Sequence, residues 1–115
     1  MTDRDPSRAP PPPPSSSLAP DRVVVVAAGV VYHEYRHRRD GMCHAMVGGL
    51  WLHRHVWFGT PMAHLVSTDR DALLAYGRHA GLPAERLQYK PLKDPATGAR
   101  RPAWHWDLVG RFLPA

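Results

Sequence analysis

The sequence predicts an α/β fold: one small domain with a short sheet of about three strands packed on one main amphipathic helix, behind a disordered N-terminal tail. Three observations carry this. Residues 62–82 (MAHLVSTDRDALLAYGRHAGL) read as a short apolar strand, a capped start, an amphipathic helix and a glycine stop. Residues 50–58 (LWLHRHVWF) and 103–109 (AWHWDLV) carry aromatic and branched residues at strand-like density. Met1–Pro20 holds seven of the thirteen prolines, with the run Pro10–Pro14 followed by Ser15, Ser16 and Ser17. Such a segment has little to bury and stiffens towards polyproline II.

These boundaries divide the 115 residues into a disordered Pro/Ser-rich tail (1–22), a poorly defined extension (23–49) and a small α/β domain (50–115). A single cysteine, Cys43, excludes an internal disulfide and suits a reducing cytoplasm. Val23–Val31 is the longest apolar run and is too short to span a bilayer. Polar, proline-rich residues precede it, Asp21 flanks it and no cleavage site follows, so it does not read as a secretory signal. An Arg/Pro/Ala-rich extension upstream of Met42 and Met46 also fits translation from an internal start. An exposed strand edge and four tryptophans on so small a chain are compatible with a homodimer.

Taken in order, Val23–Tyr32 is β-branched and reads as one strand. His33-Glu34-Tyr35-Arg36-His37 matches the H-E-x-x-H pattern, in which two histidines on one helical face bind zinc and the glutamate acts as base. The context is not helical, because valines and a glycine precede the motif and Gly41 follows within a turn. With eight histidines in the chain a chance match is easy. Gly48-Gly49 makes a break. In 50–58 strand alternation puts Trp51, His53, His55 and Trp57 on one face, and Leu50, Leu52, Arg54, Val56 and Phe58 on the other. Ser67 or Thr68 caps the helix, whose apolar stripe is Ala72, Leu73, Tyr76, Gly77 and Ala80, and Gly81 ends it. Ala84–Leu87 allows one further turn, and Lys90–Pro102 reads as loop. In 103–109 alternation puts Trp104, Trp106 and Leu108 against the helix and leaves His105 and Asp107 together on the other side.

The landmarks His64-Leu65, the helix pattern acidic-x-Leu ending in Gly81-Leu82, and the triplet His105-Trp106-Asp107 together resemble the small bacterial and phage proteins grouped as domain of unknown function 4031. The resemblance covers roughly residues 50–108 and implies a single small α/β domain without an assigned activity. It departs from the family pattern where an aspartate would end the first strand, since this chain has His53, Arg54 and His55 there.

No motif fixes a reaction. The constellation with chemical content is His64, His105 and Asp107, with His53 and His55 as neighbours. Imidazoles with one carboxylate are competent ligands for a divalent metal such as zinc, manganese or iron, and equally an acid–base set. Held at one sheet end, they would serve a metal-dependent hydrolase acting on a phosphodiester. The plainer alternative is a hydrogen-bond cluster in which Asp107 orients a histidine. A net charge of +5 favours anionic partners, and Lys90, Lys93, Arg100 and Arg101 are the clustered cations. They suit a basic, nucleic-acid-associated binding module, or simply a solvated loop.

Overall fold

The computed structural model describes residues 19–115. Its strands and helices follow in the order β1 (Arg22–Ala27), β2 (Val30–Glu34), α1 (Arg38–Met46), β3 (Leu50–Trp57), β4 (Thr60–Ser67), α2 (Arg70–Ala80), β5 (Gln88–Tyr89), β6 (Leu92–Lys93), β7 (Arg100–Arg101) and β8 (Trp104–Val109). Six strands form one sheet in the order β1-β2-β3-β4-β8-β5, and β6 pairs with β7 in a two-stranded ribbon. The β2–β3 pair is parallel and α1 makes its crossover; the other pairs are antiparallel.

A three-stranded sheet on one main helix was too small an expectation. The sheet has six strands and the two helices pack on opposite faces. Residues 23–49 are ordered into β1, β2 and α1, not a poorly defined extension. The valine run is a hairpin: the chain reverses at Ala28-Gly29, where Gly29 has φ 78°, and Val25 comes to lie opposite Val31. Helix α1 escaped because Gly41 lies inside it. A Cβ at Gly41 would sit 2.0 Å from Trp51 Cε2, so glycine lets the helix press onto the indole. Lys90–Pro102 is not plain loop either. It folds back as the β6–β7 ribbon around a turn in which the Asp94 carboxylate accepts from the Ala96 amide at 2.9 Å. Of the tail expected over 1–22, residues 1–18 lie outside those described, and Arg22 already opens β1. A chain starting at Met42 or Met46 would lack β1 and β2 and leave β3 without its parallel neighbour.

The two-residue period divides the sheet into two chemistries. On one face Leu52 lies opposite Leu65, and Leu65 opposite Trp106. Leu73 and Tyr76 of α2 close this core. The Trp106 indole donates to the Leu73 carbonyl at 2.8 Å. A Cβ on Gly77 would come within 2.4 Å of Trp106 Cζ2, so the glycine is what brings the helix so near. Asp69, rather than Ser67 or Thr68, is the N-cap, and its carboxylate accepts from the Ala72 amide at 3.0 Å. Ser67 instead accepts from the Asp69 amide, and Thr68 donates to the Ala45 carbonyl, fastening α1 to α2. Gly81 ends α2 at φ 82°.

On the other face α1 covers Trp51 and Tyr35 through Ala45 and Met42. Beyond α1 this face stays open, and the histidines lie there. No helix among the described residues is long and apolar enough to cross a membrane.

Candidate metal centre

Register brings the expected site residues onto the open face of three adjacent strands. His53 of β3 lies opposite His64 of β4, and His64 lies opposite Asp107 of β8. His55 follows His53 on the same side, and His105 precedes Asp107. Their rings run in a row. Centroid separations are 6.0 Å from His53 to His55, 4.6 Å from His55 to His64 and 4.9 Å from His64 to His105. Trp51 ends the row, 5.1 Å from His53.

The row floors a cavity of about 650 Å³. Arg38 and Met42 of α1 line it together with Lys90, Lys93 and Arg100. Three of the four clustered cations therefore face the same space as the histidines. The fourth, Arg101, turns to Asp94, 3.6 Å away.

Asp107 is the junction. Its Oδ1 lies 3.0 Å from His64 Nε2 and 3.2 Å from His105 Nε2. Its Oδ2 accepts from Gln88 Nε2 at 2.7 Å, which fixes the carboxylate so that Oδ1 faces both imidazoles. Desolvation lowers the pKa of His64 to about 4, against the pull of Asp107 and helped by His105 and its other neighbours. Desolvation also lowers His105, with Asp107 opposing and Lys90 assisting. His53 is lowered by desolvation, then by Arg38 and His55. Near neutral pH His64 and His105 are therefore neutral imidazoles, the state that binds a metal. Their approaches to Asp107 are then polar contacts and not ion pairs.

One ligand atom from each of His64, His105 and Asp107 lies within 4.8 Å of the other two. Bonds of about 2.0–2.1 Å to a tetrahedral metal place neighbouring ligand atoms roughly 3.3 Å apart. The 3.0 and 3.2 Å separations are close to that edge. His55 lies just outside the trio, and its Nε2 is buried without a hydrogen-bond partner.

The chain matches no protein-family model, and no curated protein or solved structure matches it either. Its chemistry must be read from the site alone.

The H-E-x-x-H stretch is not helical. His33 and Glu34 end β2 and point to opposite faces, while His37 precedes α1. His33 stacks on His44 at 4.1 Å, and Glu34 accepts from Arg54 at 2.7 Å across the sheet. Burial, with His33 beside it, lowers His44 to about 4. These contacts knit the first hairpin to the domain. Gln88, Arg38 and Met42 had no sequence signal: β5 is two residues long, too short to alternate, and the other two belong to the hidden helix.

Proposed function

We propose that the protein is a metal-dependent hydrolase of the phosphodiester type, holding one divalent transition metal on His64 Nε2, His105 Nε2 and Asp107 Oδ1. The convergence of these three atoms beneath a cation-walled cavity carries the reading. Three protein ligands leave a coordination position for water, whose pKa a bound metal lowers towards neutrality. Arg38, Lys90, Lys93 and Arg100 would neutralise the phosphate and its neighbours. His55, with its unpaired Nε2, would take the proton from that water. With a metal held there supplying the activated water, its oxygen would bond to phosphorus as the ester P–O bond broke, and the proton taken by His55 would pass to the departing oxygen. A hydrogen-bond cluster accounts for the Asp107 contacts but gives the cations and His55 no work.

This reading sets the chain beside the domain-of-unknown-function-4031 proteins, since His64 and the His105–Asp107 triplet are the landmarks of that resemblance. The lone Cys43 suits a reducing cytoplasm. The test is metal analysis of untagged protein together with hydrolysis of bis(p-nitrophenyl) phosphate. We expect a single equivalent of metal, activity abolished by chelation and restored by zinc or manganese, and both lost in His64→Ala and Asp107→Ala. Metal-free protein that gains nothing from added metal ends the proposal. A basic binding module without hydrolysis is the second reading, supported by the same cations. It predicts heparin retention that falls on neutralising Lys93 and Arg100, with no turnover.

A further inference from the structure

The β3–β4 hairpin runs past the cavity and ends in an aromatic tip. Trp57 is 61 % exposed and Phe58 90 %, and their rings meet edge-on with centroids 5.0 Å apart. Phe58 has φ 48° and Gly59 φ 78°, the turn geometry that favours Asn-Gly. Among the described residues Phe58 is the non-glycine residue with positive φ, and a bulky side chain is strained there. Two large rings thus stand in water on a strained turn, and neither belongs to a core cluster. Strand alternation puts Trp57 on the face of His53 and His55, one side-chain step beyond the cavity. Trp57 and the histidine row lie along one face, with Trp57 at the hairpin end of the row and the cations towards its Trp51 end.

We infer that the substrate is single-stranded nucleic acid. Its scissile phosphodiester sits at His64, His105 and Asp107, flanking phosphates contact Arg38, Lys93 and Arg100, and an adjacent base stacks on Trp57 with Phe58 beside it. An aromatic platform continuing a cationic groove is the chemistry that holds an unpaired strand. A duplex keeps its bases stacked on one another and offers the indole no face. The scissile step rests on the hydrolase reading; the stacking does not.

The test is fluorescence anisotropy of the purified full chain with a labelled phosphorothioate oligothymidylate, which slows turnover, with metal content measured separately. Trp57→Ala should weaken binding roughly tenfold and leave metal content unchanged. Phe58→Asn should weaken it while raising the unfolding midpoint, because asparagine suits the left-handed turn. Loss of strand affinity in both variants in protein that holds no metal supports the platform and overturns the hydrolase reading. Wild-type affinity in both variants overturns the inference, whatever the metal content. So does equal affinity for duplex, and so does binding to phosphatidylserine vesicles that fails in Trp57→Ala while oligothymidylate binding persists.

Discussion

Asp107 has two oxygens with different duties: Oδ1 faces His64 and His105, and Oδ2 is held by Gln88. Gln88→Leu should keep the fold and weaken zinc binding by roughly 10- to 100-fold, the usual cost of losing a partner behind a metal ligand. Competition against a chromophoric chelator measures it; unchanged affinity would show that Asp107 needs no such support. Protonation adds a second prediction. Unfolded histidines take up protons below about pH 6.5, whereas His64 in the fold resists down to about pH 4. Between these values the unfolded chain binds more protons, so stability rises with pH through that window and levels off above it. The urea midpoint should fall as pH drops from 7 to 4.5, and a flat profile would contradict the burial of this histidine. That His53, His55, His64, His105 and Asp107 share a face was legible because period-two alternation needs only local sequence. Gln88 was not, because its role comes from a long-range pairing with His105.

At the scale of elements, α2 was the clearest stretch and its cap the least clear. Ser67, Thr68 and Asp69 are all capable of capping, and tertiary contacts decided: Thr68 was drawn to Ala45 and Asp69 was left to cap. Asp69→Ala should cost about 1 kcal/mol in denaturant unfolding. Gly77→Ala should cost more, about 1–3 kcal/mol, although alanine is the better helix former, because its methyl would meet Trp106. A stabilised Gly77→Ala protein would mean that α2 does not press on the sheet as described. Helix α1 shows the same physics from the other side. A glycine reads as a stop in the sequence, yet at Gly41 the space its Cβ would fill belongs to Trp51, a residue ten positions later.

For the whole molecule, the sequence made residues 50–115 look self-sufficient. All five candidate ligands do fall within them. The structure gives β3 a parallel partner from the first hairpin, covers Trp51 with α1, and takes part of the cavity lining from Arg38 and Met42. A chain cut to 50–115 should therefore lose cooperative unfolding and expose Trp51, seen as a red-shifted fluorescence maximum. A cooperative melt of that fragment would restore the smaller domain. What hid this was the valine run, whose reversal at Gly29 leaves no alternation to read.

The parallel β2–β3 pair also bears on the order of assembly. β3 and β4 form a hairpin about Phe58-Gly59, and β8 joins β4 as its other antiparallel neighbour after α2 and the β6–β7 ribbon. The β2–β3 pair closes 18 residues, from Tyr32 to Leu50, whereas β4–β8 closes 37 to 47, from Ser67 to Trp104 and from Met62 to Val109, so the β8 amides should gain protection last during refolding. His64 stands on the local β3–β4 hairpin, while His105 and Asp107 stand on the strand that joins it last. A partly folded chain therefore cannot hold the candidate ligands together, and any metal affinity they have should appear only as the last amides become protected.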